Sequence, residues 1–489
     1  MLFTDISPDV LLRISILLDP QDLISLRKTC QTLSSLSHEK TLWLQLADRL
    51  CTENLLFPSV FPLHNLGSAV LEDIATHPVR WEKLMLQQRE ITPVSVRRIS
   101  TPSAFGYYNF LVPGGRFLFS SYESPPRLVL LDLCSENPAM PIATLVIKSD
   151  ASFNFIPSPS KRTLSVSVHT PIYTPAIRYL IHVYDISPYE NDCQFTKVAS
   201  SDPRIACPSS GPIALSPDTM VFTQDCQLTT IWKYRTDEWM RCTVSSRAVF
   251  KVFLLHDSII LMHPNTLSVC LIPTTNYVSR LQALQSPPAV ELRILYEREF
   301  SPPQYPGCKQ AIDDWYSGSR HQTMTVVQIS NPPSMPDDMV LFHFYNIEHD
   351  EDLSSLSSSS SREARIPPNQ SWATVQAHRD RSSSVFRWIP CNNGIYRITH
   401  SRLDVAHFHC QGLKNLDDGT VQTSNVVIDI RNAIPDIPDD AKAKILLCPQ
   451  SGRACLYYTS PGLGSNSPGA GVIFVLDFFE PLPVLASEG

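Results

Sequence analysis

Apolar residues recur at three- and four-residue intervals through the first fifty positions. Val10, Leu11, Ile14, Leu17 and Leu18 form one helical pattern; Leu23, Ile24 and Leu26 form a second. Leu33 and Leu36 mark a third short helix, and Leu42, Trp43, Leu46 and Leu50 a fourth. Start signals agree with the periodicity. Ser7 precedes Pro8, an N-cap followed by proline at the first helical position, with Asp9 in the first turn. Asp19–Pro20 repeats the device, and Asp22 at the third position echoes a capping box. Helical spacing continues in ADRLC, SAVLEDIA and WEKLMLQQRE up to about residue 90, with FPSVFPLHNLG between them and a break predicted at His77–Pro78.

After about residue 91 the period falls to two, with β-branched and aromatic residues between turn signals. Seven strands share an apolar–polar–apolar ending: RLVLLDL (127–133), YLIHVYDI (179–186), LTTIWKY (228–234), LSVCLIP (267–273), MVLFHFYNI (339–347), DVAHFHC (404–410) and VIFVLDF (472–478). Their ends are first 39–53 and then 63–74 residues apart. The shorter intervals suit four-stranded propeller blades of about 40–50 residues. Each longer interval contains an insertion: SPPAVELRILYEREFSPPQYPG, with VELRILYERE itself a plausible outer strand; EHDEDLSSLSSSSSREARIPPNQS; and GLKNLDDGT with PGLGSNSPGAG. Gly114–Gly115, Pro217–Asp218, Asn393–Gly394 and Asp418–Gly419 fall where the chain must reverse.

Composition supports many short elements. The 489 residues include 41 prolines and 16 glycines, where average usage would give about 24 and about 34. Proline fixes φ and removes an N–H, so it must sit outside or at the start of regular elements. Charged residues are only 18%, which fits strands buried on both faces.

The net charge of −7 argues against nucleic acid or an anionic membrane as the main partner, since both require a basic field. No apolar run reaches the 18 residues of a membrane span, and MLFTDISPDV lacks the basic start of a signal peptide. Thirteen cysteines, with no C-x-x-C pair, read as reduced small hydrophobes of a cytosolic or nuclear protein. The sequon at Asn369 is then a chance match.

The first stretch carries a family resemblance. ISPDVLLRISILLDPQDLISLRKTCQTLSSL, followed by LW, resembles an F-box, the adaptor-binding module of cullin–RING ubiquitin ligases. The shared pattern is an apolar residue and proline, an acid, paired leucines, "LDP–DL", a cysteine about seven residues on, and a terminal Leu–Trp. Here Ser7 separates Ile6 from Pro8, where the family has Leu–Pro adjacent. The resemblance implies that Ile6, Pro8, Leu11, Leu17, Leu18, Pro20, Leu23 and Leu26 contact a Skp-type adaptor, and that Trp43 locks the last helix to the core. The second half is similar to WD-type β-propellers of about seven blades, although it has no Gly–His or Trp–Asp dipeptide. Strand 94–99 would close the ring beside 472–478 and abolish free edges.

The expected fold class is multi-domain α plus all-β: a three-helix F-box over 1–50, a helical linker over 51–90, and a propeller over 91–489 with a disordered serine-rich insertion near 348–384. The expected function is substrate recognition for an SCF-type ligase, through the adaptor on one side and an unknown protein substrate on the other. A propeller scaffold acting outside ubiquitination is the alternative, and a channel hydrolase a third.

Chemistry-bearing motifs are weak. His407 and His409 share a strand face near His400 and Cys410, a two-ligand start for a metal, but histidines in alternating strands commonly face solvent or a polar seam. Adjacent acids at 313–314, 337–338, 417–418 and 439–440 read as turn formers. No G-x-S-x-G elbow is present, Gly462-x-Gly464 lacks a lysine and a following helix, and the seven serines of 354–361 are too polar to pack. The expectation is therefore no catalytic residue, no metal and no cofactor.

Overall fold

A computed structural model describes residues 6–54, 56–57, 63–101, 105–158, 162–173, 177–190, 192–205, 213–224, 228–244, 249, 251–255, 257–263, 266–285, 288–299, 323–330, 339–348, 373–378, 388–391, 394–400, 407–415, 421–430, 433–434, 442–459 and 471–480. The serine run, the paired acids, Asn369, Asn393, the Asp418–Gly419 turn and the 462–464 loop lie outside them.

Five helices come first: α1 (Pro8–Leu17), α2 (Pro20–Leu26), α3 (Gln31–Leu36), α4 (Lys40–Glu53) and α5 (Ser68–Gln87). The fourth helical pattern, Leu42 to Leu50, is α4, which runs on to Glu53. Ser7 and Asp19 stand at the expected caps, but neither side chain makes a capping bond. Their carbonyls carry the turns instead, Ser7 accepting from Val10 and Leu11 and Asp19 from Leu23.

The helices share one core around Leu23, Leu42, Trp43, Leu46, Leu71 and Ile74. Arg27 ties three of them together. It donates to the Ser37 hydroxyl at 2.9 Å, pairs with Glu72 at 2.7 Å and lies over the Trp43 ring, whose Nε1 donates to the Ser37 carbonyl.

The predicted break at His77–Pro78 does not occur; α5 runs through Pro78. Interior proline costs about 3 kcal/mol, and packing offsets it: Ile74, Ala75, His77, Pro78 and Trp81 are all buried. His77 stacks on Phe479 at 5.0 Å, Arg80 lies over the same ring, and Trp81 meets Phe478 and Tyr396 edge-on. The short strand Glu90–Ile91 then pairs parallel with Val427 and Ile428. Thus α5 is bolted to neighbouring sheets rather than tethered to them.

The remaining chain forms seven sheets among the described residues. Their common scheme is antiparallel pairing of strands that follow one another in the chain, varied by the parallel additions Glu90–Ile91 and Val290–Glu291 and by Thr266–Leu271 pairing with the later Ile294–Glu299. The chain divides into two compact units, Met1–Thr144, Ile389–Lys414 and Gln422–Gly489, and Leu145–Trp388 with Asn415–Val421. In the first unit one sheet runs Phe105–Leu111, Phe117–Glu123, Pro126–Asp132, Pro141–Val146. A second holds Trp388–Cys391, Gly394–His400, His407–Asn415 and Val421–Asp429, so the first residues of GLKNLDDGT prolong a strand rather than an insertion. The third is Lys442–Cys448, Arg453–Thr459 and Gly471–Asp477, completed by the early strand Ser95–Thr101. That last pairing, Ser95 opposite Asp477 through Thr101 opposite Gly471, is the expected closure of N-terminal on C-terminal strand.

The second unit contains Ser152–Pro157, Leu164–Tyr173, Ile177–Ile186, Thr196–Ser200, and then Ile213–Leu215, Thr219–Gln224, Leu228–Lys233, Glu238–Thr243. It continues with Lys251–Leu255, Ser258–Met262, Thr266–Leu271, Ile294–Glu299, and a three-stranded sheet Thr323–Ser330, Met339–Glu348, Ala373–His378. The strand predicted inside the 286–307 insertion is the outer strand Ile294–Glu299.

This is the connectivity of β-propeller blades. The apolar-ended strands are third in their sheets, not last, except Met339–Glu348, the middle of three. The fourth strand Thr196–Ser200 escaped the pattern because it is a half-exposed edge with no buried residue. Inner strands show no alternation: Phe117–Tyr122 is buried throughout. Faces covered on both sides demand continuous apolar runs. Within the first unit, Ile99, Leu131, Cys455 and Val475 share one core; within the second, Ile181, Met220, Phe222 and Trp232 share another.

Candidate functional site

Among the described residues, the N-terminal helices expose a group of apolar side chains on one helix. Of the eight residues expected to meet an adaptor, Leu11, Pro20 and Leu23 are buried within the chain, Leu23 in the helical core. Leu18 and Leu26 are half-buried against that core, and Ile6 is half-buried. Pro8 is exposed, and Leu17 is 79% exposed.

Two further residues join Leu17: Val10 and Ile14, both exposed. At 3.6 residues per turn, positions 10, 14 and 17 fall on one face of α1. The helix is therefore apolar on two sides, Leu11, Leu12 and Ile16 turning inward and Val10, Ile14 and Leu17 outward, where a surface helix ordinarily presents polar residues. The spacing of Val10 and Ile14 was visible in the sequence. Which of the two apolar faces lies inside was not, because that depends on where α4 packs.

The far end of α1 is fixed by Arg49 of α4. Its guanidinium donates to the carbonyls of Ile16 at 2.8 Å and Leu18 at 3.0 Å, two acceptors that the helix cannot satisfy itself. Glu53, one turn on, stands 3.6 Å from Arg49.

A second recurrent feature is a carboxylate at the end of the third strand. Asp132 takes a bidentate pair from Arg116 and the Cys134 N–H; Asp185 accepts from Ser165 and pairs with Arg235; Asp477 pairs with buried Arg453 and with Arg97. Asp132 and Asp477 thereby brace their own sheets, whereas Asp185 reaches the turn between Leu228–Lys233 and Glu238–Thr243 of the next sheet; all three uses are structural. The signal was present in the LLDL, VYDI and VLDF endings.

Burial shifts several thiols and the histidine His169. It pushes Cys51, Cys242, Cys270 and Cys455 up to about 12, and Cys410 higher still. These thiols pack as hydrophobes. His169, buried beside the Ser167 hydroxyl at 2.8 Å, is pushed down to about 4. In the expected histidine group, His409 lies opposite Thr399 and His400 opposite Phe408. Among the described residues no three His, Cys, Asp or Glu side chains are grouped to hold a metal, and no helix is long and apolar enough to cross a membrane.

Comparison with family models matches residues 3–45 to the F-box domain. Residues 3–45 form an F-box domain. The outward stripe of α1 lies within the matched segment, and Arg49, which clamps the end of α1, lies just beyond it. No curated protein matches the chain. Solved structures similar to it include the WD40 domain of SCAP from fission yeast, 10% identical over 78% of this chain and 83% of that one, with a TM-score of 0.39. Sqt1 of Saccharomyces cerevisiae is 11% identical over 79% and 100%, with a TM-score of 0.36. The C-terminal WD40 domain of Sif2 is 9% identical over 80% and 99%, with a TM-score of 0.34. These likenesses are distant, and the strand connectivity carries the fold assignment.

Proposed function

We propose that this chain is the substrate-recognition subunit of an SCF-type cullin–RING ubiquitin ligase, acting in the cytosol or nucleus. The F-box binds a Skp-type adaptor, and the sheet repeat binds a protein substrate. The observation that carries the reading is the outward apolar face of α1, Val10, Ile14 and Leu17, within a segment that matches the F-box domain. Exposed large apolar side chains on one helix face are costly in a monomer and gain roughly 1.5–3 kcal/mol each when a partner fully covers them.

On this reading the chain performs no chemistry. Binding both partners raises the effective concentration of substrate at the ligase. The rigid packing of α5 on Phe478, Phe479 and Tyr396 suits such a role, because a fixed joint limits the volume a bound substrate explores.

The test is co-purification of the full chain with a Skp-type adaptor, alongside an Ile14→Asp/Leu17→Asp variant. Capture by the intact chain and loss in the variant is the expected result. Equal capture by both overturns the docking face. No capture by either, with other partners still bound, overturns the ligase reading in favour of a scaffold outside ubiquitination.

A further inference from the structure

Within the docking face of α1 stands one charge, Arg13. At 100° per residue its Cα lies about 60° from Val10 and about 40° from Leu17, on the edge of the apolar stripe. It is exposed and makes no hydrogen bond or ion pair among the described residues. Asp9, one turn earlier and also exposed, is not paired with it. The other arginines of the helical module are engaged: Arg27 with Glu72, Arg49 with Ile16 and Leu18, Arg80 with Asp73.

A partner that covers Val10, Ile14 and Leu17 must also cover part of the Arg13 stem. Removing an unpaired guanidinium from water is strongly unfavourable unless the partner supplies a compensating charge and hydrogen bonds. A planar fork of donors is matched best by a carboxylate, which it can bind bidentately.

We propose that Arg13 is a specificity-determining contact, pairing with a carboxylate of the Skp-type adaptor beside whatever surface covers Val10, Ile14 and Leu17. This rests on the adaptor-binding reading above. The apolar stripe supplies adhesion, while Arg13 selects partners that carry an acid at that position and fixes the direction in which α1 lies.

The test measures affinity of the full chain for a purified Skp-type adaptor at two or more salt concentrations. Arg13→Met keeps the stem and removes the charge; Arg13→Glu reverses it. Arg13 has no partner in the described fold, so unfolding midpoints of both variants should match the parent. The expected result is affinity weakened roughly tenfold or more by Arg13→Met and further by Arg13→Glu, with a shallower salt dependence in Arg13→Met than in the parent. Arg13→Met binding as tightly as the parent, with the same salt dependence, overturns the proposal. The Ile14→Asp/Leu17→Asp variant separates the two ideas: if it abolishes binding while Arg13 variants bind normally, the docking face stands and the Arg13 contact falls.

Discussion

Arg49 donates through its guanidinium to the main-chain carbonyl of Ile16 at 2.8 Å, and so α4 holds the end of the helix that presents the docking stripe. The same guanidinium reaches the carbonyl of Leu18, so one side chain bridges two acceptors of the turn between α1 and α2. Hydrogen bonds from a charged donor contribute about 1.5–3 kcal/mol. Arg49→Ala should therefore destabilise the helical module by about that amount and speed amide exchange in α1 before the sheets respond. Denaturant titration with residue-resolved hydrogen exchange checks this; unchanged exchange in α1 would show the clamp to be redundant.

Leu11 and Leu17 lie on the same helix with opposite exposures, 2% and 79%. Leu11→Ala should cost about 2–5 kcal/mol by opening a cavity in the helical core. Leu17→Asp should leave stability within about 0.5 kcal/mol and weaken adaptor capture. Paired thermal melts and pull-downs distinguish them. A Leu17→Asp variant that melts early would mean that the stripe is covered within the chain.

The Arg453–Asp477 pair is buried, with Asp477 also facing Arg97. Asp477→Ala leaves a buried guanidinium uncompensated, so a loss of about 3–5 kcal/mol is expected. The Arg204–Asp202 pair, whose arginine is mostly exposed, serves as the contrast: Asp202→Ala should cost under about 1 kcal/mol. Equal losses in urea unfolding would contradict the burial argument.

His169 sits in a buried strand with its pKa pushed down to about 4 by burial. The unfolded chain therefore takes up a proton that the folded chain refuses between pH 6.5 and about 4. Stability contributed by neutral burial is present above pH 6.5 and is lost as pH falls through that window, by about 1.4 kcal/mol per pH unit. His169→Gln should flatten this acid-side slope. Unfolding free energies from pH 7.5 to 4.5 for both proteins measure it, and parallel slopes would assign the acid sensitivity elsewhere.

The helical module and the seven-sheet repeat were legible because their signals are local. Pro8 and Pro20 start helices, leucine spacing carries them, and the apolar third strands recur. Edge strands such as Thr196–Ser200 were not, since a half-solvated strand needs no apolar pattern. Nor was the continuity of α5 through Pro78, where the local penalty is overridden by burial of Trp81 and its neighbours against distant Phe478 and Tyr396.

Sequence alone determined the N-terminal helices, the apolar inner strands, and the resemblance of the first fifty residues to an F-box, because periodicity, caps and motif are written within a few residues of one another. Tertiary structure decided which leucines stay available. Leu11, Leu17 and Leu23 look alike in the chain, yet packing of α4 and α5 buries the first and third and leaves Leu17 outside with Val10, Ile14 and Arg13. An amphipathic pattern specifies that a face must be covered; only the arrangement of the other helices specifies which face the protein covers for itself and which it leaves for a partner.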